Sequence, residues 1–405
     1  MLYDAYEVQR SLLAGASTLA NLSAGWLNNP ANPLSYSQMG PIVASALDVF
    51  AHASASRGKP DFGIETTIVE GKTVAVSEEI VLRKPFGQLK RFRREGIHGS
   101  PKLLMISPMS GHYATLLRGT VERMLPGHDV YITDWRDAKL VPLSDGRFDL
   151  DDYIDYLIAF MEAIGPGGHM LAVCQPSVPA FAAAALMSAD KHPCRPRTLT
   201  MMGGPIDTRR APTEVNTVAT QRPFAWFEQN VIATVPYLYA GAGRKVYPGF
   251  LQLAGFMAMN LGDHLTSHWE MFKHLVQGDG ESAEASKDFY DEYRAVCDMT
   301  AEFYLQTVDT VFQRHALPKG EMLHRGRRVD PAALRDVALF AIEGERDDIS
   351  GVGQTRAALD IATGLPSKLK RYHLARGVGH YGIFNGSKWR SRIAPVVEQW
   401  IAKHA

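Results

Sequence analysis

Six short apolar runs, each ending at a turn, constrain this chain more than any other feature. They are Lys102–Ile106, His128–Ile132, His169–Val173, Arg197–Met202, Val337–Ile342 and Lys368–His373. Most are continuously apolar, as strands covered on both faces must be. Helix-forming stretches follow several of them, through Leu125 after the first and from Leu150 to Ile164 after the second. Strand and helix in alternation predict an α/β fold, a mostly parallel sheet with helices on both faces.

The third run leads straight into a candidate nucleophile. Its surroundings read Gly167-Gly168-His169-Met170-Leu171-Ala172-Val173-Cys174-Gln175-Pro176-Ser177, and a small-residue helix from Ala180 to Met187 follows. Strand, tight turn and helix place the thiol before a helix N-terminus, which favours a thiolate and later an oxyanion. A cysteine nucleophile needs a base and a group to orient that base. The fifth run ends in Glu343-Gly344-Glu345-Arg346-Asp347-Asp348-Ile349, where the pattern Gly-x-x-Asp-x-Ile selects Asp347 over Asp348. After the last run comes Arg376-Gly377-Val378-Gly379-His380-Tyr381-Gly382, whose glycines let the backbone turn sharply and carry the imidazole inward. Nucleophile, acid and histidine thus occur in the chain order of the α/β-hydrolase triad. Cys194 lies in a Pro-flanked loop and Cys297 in a stretch of helical spacing, so neither fits the part. His373 reads as a packed strand histidine. The chain has no Gly-x-Ser-x-Gly, which argues against an ordinary serine hydrolase.

The oxyanion donors are expected at the backbone N–H of Gln175 and, from the loop after the first run, at Met109 or Ser110. His112, close by, either lines the pocket or is structural. Cysteine and histidine spacing gives no zinc pattern, and no metal or cofactor is expected.

A formal net charge of zero over 405 residues gives no electrostatic reason to expect nucleic acid or an anionic membrane. The longest apolar region, Val246 to Leu261, contains Pro248, Gly249, Gln252 and Asn260, which disfavours a membrane span. The N-terminus lacks the pattern of a signal peptide, and three cysteines make no disulfide framework, so a reducing cytoplasm is the expected location.

Four regions are expected. Residues 1–60 read as two helices, Met1 to Leu27 and about Pro41 to Ala55, forming an N-terminal extension. Residues 61–206 carry the first part of the core, with a hairpin around Glu70-Gly71-Lys72 and the basic run Leu89–Arg94, read as a solvated strand edge. Residues 207–331 break the strand rhythm and are rich in aromatics and methionine; they are expected to form a helical lid over the strand ends. Most of its aromatics (Trp226, Tyr247 and Trp269 among them) read as subdomain core, and one helix is expected from about Ser286 to His315. Residues 332–405 complete the core with the acid and the histidine.

Several stretches resemble the intracellular poly(3-hydroxybutyrate) depolymerases: Ser107 to Arg118, Val130 to Pro142, Val173-Cys174-Gln175-Pro176, Tyr290-Asp291-Glu292-Tyr293, Glu302 to Leu305, Glu343 to Ile349 and Gly379 to Gly386. The resemblance implies an α/β-hydrolase fold, cleavage of the polyester or its oligomers, and Cys174, Asp347 and His380 as nucleophile, acid and base. It also implies a storage granule or oligomer as partner. Polyhydroxyalkanoate synthases share the fold and a cysteine nucleophile, but their elbow typically reads Gly-x-Cys-x-Gly, whereas here both glycines are replaced. A non-catalytic granule-coating protein is a third reading. The sequence leaves open hydrolysis or thiolysis by coenzyme A, endo or exo cutting, and oligomeric state.

Overall fold

The computed structural model describes residues 2–37, 39–55, 58–259 and 295–405. Fourteen strands in chain order are β1 (Thr66–Val69), β2 (Lys72–Lys84), β3 (Gly87–Arg94), β4 (Lys102–Ile106), β5 (Asp129–Trp135), β6 (His169–Val173), β7 (Thr198–Met202), β8 (Ala233–Thr234), β9 (Lys245–Tyr247), β10 (Met299–Thr300), β11 (Leu323–His324), β12 (Arg327–Arg328), β13 (Ala338–Gly344) and β14 (Lys370–Ala375). Nine of them build one sheet in the order β1-β2-β3-β5-β4-β6-β7-β13-β14. β1, β2 and β3 join antiparallel, and every pair from β5 to β14 is parallel.

Side-chain alternation divides the sheet's two cores. Leu104, Ile106, Met170, Ala172, Leu199, Met201, Leu339 and Ala341 face one side, covered by α4 (Leu150–Ile164) and α5 (Ser177–Ala189). Leu103, Met105, Leu171, Val173, Met202, Phe340 and Ile342 face the other, covered by α3 (Arg118–Met124) and the C-terminal helix Ala394–His404. A strand buried on both faces has no polar positions to alternate, which explains the continuous apolar runs. Strands β5 and β6 flank β4 on opposite sides, so the strand order reverses there, which in open α/β sheets is where ligands bind, outside the carboxyl ends of the strands.

Three sequence expectations need correction. The basic run Leu89–Arg94 lies in β3, an interior strand between β2 and β5, and not at an edge. Its charges are matched across the strands: Lys90 pairs with Glu78, Arg91 with Asp129 and Arg93 with Glu79, while Leu89 and Phe92 are buried. Of the helix expected from Ser286 to His315, residues 286–294 lie outside the described residues. The helix seen is Ala301–Thr307, running on into a π-helical turn at Val308–Gln313, and the Thr300 hydroxyl accepts a hydrogen bond from Phe303 N–H at its start. Cys297 therefore precedes that helix and is not within it. Residues 207–331 also hold short strands, β8, β9 and β10 forming a small antiparallel sheet and β11 with β12 a hairpin. Trp269 and the Tyr290–Tyr293 motif lie outside the described residues.

At the N-terminus, α1 (Leu2–Leu27) and α2 (Gly40–Ser54) form a helical hairpin. It is tied to the body by the Tyr3 hydroxyl donating to Asp298, by Arg10 donating to the Tyr239 hydroxyl at 2.9 Å, and by Tyr6 stacked on Phe250 at 3.9 Å. Among the described residues no helix is long and apolar enough to cross a membrane.

Candidate active site

Cys174 follows the last residue of β6 with φ of +66°, a conformation that a non-glycine residue adopts only when its surroundings hold it there. The hold is visible. Cys174 N–H donates to Met202 O at 2.7 Å, and Cys174 O accepts from Ser177 N–H at 3.0 Å. Behind it, α5 is alanine-rich and buried almost all round, so it lies close against the sheet. Gly204 permits that approach, since a Cβ there would stand 2.1 Å from Ser177 Oγ and 3.1 Å from Cys174 O.

The histidine and the acid arrive from the far end of the chain. His380 Nδ1 lies 2.8 Å from Asp347 Oδ2, and both side chains are almost fully buried. The second carboxylate oxygen of Asp347 accepts the backbone N–H groups of Ile349 at 2.9 Å and Ser350 at 2.8 Å, which fixes the carboxylate plane. On its other side the imidazole has the Cys174 side chain as its neighbour. Burial opposes a charged imidazole, but Cys174 and Asp347 outweigh it, and the His380 pKa rises well above its ordinary value. Asp348 takes no part in this contact. Gly203 makes room for the pair: at φ of +59°, a Cβ would meet Ile383 Cδ1 at 2.7 Å, His380 Cε1 at 3.0 Å and Asp347 Oδ2 at 3.1 Å.

The loop after β4, which carries Met109 and Ser110, is fastened at its root. Ser107 N–H donates to Thr133 Oγ1 at 2.9 Å, Ser107 Oγ to Thr133 O at 2.6 Å, and the Trp135 indole to Ser107 O at 2.9 Å. Met109 is buried, and among the described residues no backbone carbonyl accepts from Gln175 N–H. His112 is buried, in a bridge to Val296, with its carbonyl facing Cys297 Sγ. Cys194 and Cys297 are both buried, and burial pushes the Cys297 thiol well up, so Cys174 is the most exposed of the three thiols.

One functional support was missed from sequence. Glu343 is fully buried in β13 and accepts from Gly353 N–H (2.8 Å), Arg356 N–H (2.9 Å) and the Tyr372 hydroxyl (2.8 Å). It thereby shapes the loop bearing Asp347. Its signal was present as a lone carboxylate inside the apolar run Ala338–Ile342-Glu343. A cavity of about 430 Å³ lies elsewhere, between the N-terminal hairpin and the body; Tyr113, Asp137, Lys139 and Asp298 line it, and Cys174 does not.

A sheet of this strand order, with a strained cysteine turn after β6, an aspartate after β13 and a histidine after β14, is that of an α/β-hydrolase. Residues 203–405 match the family described as "PHB de-polymerase C-terminus", a segment that contains Asp347 and His380 and begins just downstream of the elbow. The chain belongs to this polyhydroxybutyrate (PHB) depolymerase family and is a hydrolase. Solved structures similar to it include a monoacylglycerol lipase from Paleococcus ferrophilus, 12% identical, with a TM-score of 0.45 over 76% of this chain and 97% of that one. Another is 2-hydroxy-6-oxo-6-phenylhexa-2,4-dienoate hydrolase from Rhodococcus sp. strain RHA1, 11% identical, with a TM-score of 0.44 over 82% and 100%. No curated protein sequence matches the chain.

Proposed function

We propose that the protein cleaves poly(3-hydroxybutyrate) or its oligomers through a Cys174-His380-Asp347 triad. The observation that carries this reading is the placement of the strained Cys174 beside a His380 imidazole whose Nδ1 lies 2.8 Å from Asp347 Oδ2, at the carboxyl end of the sheet in a chain of this family. In the mechanism, His380 takes the thiol proton and the sulfur attacks an ester carbonyl. The tetrahedral oxyanion rests on Gln175 N–H and a second amide, from Met109 or Ser110. Pro176 has no N–H to contribute. His380 then protonates the departing 3-hydroxyl, leaving an acyl thioester, and a water activated by the same histidine releases the acid. Asp347 keeps the imidazole in the tautomer with Nε2 facing sulfur, and stabilises the imidazolium. Residues 207–331 act as the lid over this centre, and the cytoplasm, beside storage granules, is where the substrate would be met.

The test uses purified wild type and Cys174→Ala with amorphous poly(3-hydroxybutyrate) and, separately, with 3-hydroxybutyryl-CoA. Wild type is expected to release soluble 3-hydroxybutyrate or its oligomers, and the variant to be slower by about 10³-fold or more. Release of CoA in the second assay without polymer loss in the first would replace the depolymerase with a synthase. Equal release by both proteins would remove Cys174 from the mechanism.

A further inference from the structure

Among the described residues, 12 of the 23 large apolar side chains that stand in solvent fall within the first 50 positions. The N-terminal hairpin is built inside out. Its two helices meet through small residues, Ser17, Ala20 and Ala24 against Ala44 and Ala51, with Ser17 Oγ donating to Ala51 O at 2.7 Å. The large side chains point away: Val8, Leu12, Leu19, Leu22 and Trp26, spaced as one stripe along α1, are each at least 60% exposed. At a rise of about 1.5 Å per residue, the stripe from Val8 to Trp26 runs along roughly 27 Å of the helix. The turn adds Leu34, Tyr36 and Met39. An apolar face of this extent on a folded chain marks a surface with a partner.

The sequence restricts what that partner is. From Ser11 to Leu47, 37 consecutive residues, there is no Asp, Glu, Lys, Arg or His, in a chain that is 21% charged. Anionic membranes and nucleic acids are met with lysine and arginine, and this face has none. Three hydroxyls of α1 are bonded within the helix, Ser11 on Glu7 O, Thr18 on Ala14 O and Ser23 on Leu19 O, so covering these three with an apolar phase strands none of them. An uncharged face with self-satisfied hydroxyls complements an uncharged, methyl-bearing polyester. The other side of the hairpin lines the 430 Å³ cavity with Tyr3 and Tyr6, and that cavity reaches Tyr113, just past the loop that carries Met109 and Ser110. We propose that the outward face of the α1–α2 hairpin is the surface by which the enzyme docks on solid polyester, a proposal that rests on the substrate assigned above.

The test replaces Leu12, Leu19, Leu22 and Trp26 together by Gln, a good helix former, with the single variant Leu19→Glu as a milder companion. Cosedimentation with amorphous poly(3-hydroxybutyrate) particles is measured for wild type, Cys174→Ala and both variants, alongside turnover of a soluble 3-hydroxybutyrate trimer. Wild type and Cys174→Ala are expected to sediment with the polymer. The quadruple variant should lose affinity by about tenfold or more, and Leu19→Glu by less, while trimer turnover stays within about twofold of wild type. Equal sedimentation of quadruple variant and wild type would overturn the assignment. So would light scattering showing a wild-type dimer that the variant splits, or equally strong wild-type binding to phosphatidylcholine vesicles. If wild type hydrolyses neither trimer nor polymer yet binds polymer through this face, docking stands and the proposed reaction falls. If it hydrolyses both and the variants bind unchanged, the reverse holds.

Discussion

Gly203 carries more of the candidate site than its lack of a side chain suggests. It lies beneath the contact between His380 and Asp347 at a positive φ, and any Cβ would press on both partners and on Ile383. Gly203→Ala is expected to destabilise the fold by about 1–3 kcal/mol, read as a lower urea midpoint, and to reduce ester turnover more than it reduces stability. A loss of stability with turnover intact would show that the pair tolerates displacement. Chain order and glycine turns singled out Cys174, Asp347 and His380 in the sequence, because each follows a strand. The Gly203-Gly204 pair reads from sequence only as the end of a strand. The role of Gly203 depends on residues more than 140 positions downstream and that of Gly204 on Cys174 and Ser177 upstream, which no local pattern records.

At the scale of the element, the loop from Gly344 to Arg356 holds its shape through Glu343 as well as through its own turns. Three donors converge on that buried carboxylate, two of them from the loop and one from β14. Glu343→Leu leaves all three without an acceptor and is expected to lower stability by about 2–5 kcal/mol, seen as a drop in Tm, with turnover falling because Asp347 loses its seat. Glu343→Gln, which keeps an acceptor oxygen, should recover part of both. The strands themselves were readable from their apolar runs, to within a few residues at each end. Strand β3 was misplaced because its lysine and arginines suit a solvated edge equally well; only the acids of β2 and β5 opposite them reveal an interior position. Similarly, the helical spacing around Cys297 ran across a real boundary, set by Thr300 capping the helix that begins at Ala301.

Across the whole molecule, the N-terminal hairpin is joined to the body through a carboxylate pair. Asp298 is buried, bonded to the Tyr3 hydroxyl and to Gly249 N–H, and its own N–H donates to Asp137 Oδ1 at 3.2 Å. Burial first, and the neighbouring Asp137 second, push the Asp298 pKa up from 3.8 to about 6. The folded state therefore holds this proton more tightly than the unfolded chain does. The resulting stabilisation is full below about pH 4 and is lost as the pH rises through about 6. Asp298→Asn, neutral at every pH, should match wild type near pH 4 and exceed its unfolding free energy by on the order of 3 kcal/mol above pH 7. Parallel denaturation curves across this range would check it, and a constant difference would rule out Asp298 as the titrating group.

The family match covers residues 203–405, and the sheet shows what such a segment lacks. Of its two long strands, β14 pairs with β13, and β13 reaches the rest of the sheet by pairing with β7, which ends at Met202, one residue before the segment starts. Cut there, one polypeptide would keep the sulfur and the other the imidazole and carboxylate, each with an unsealed sheet edge. In this fold the boundary of the matched segment therefore runs between Cys174 on one side and the His380–Asp347 pair on the other, and only the intact sheet brings the two together.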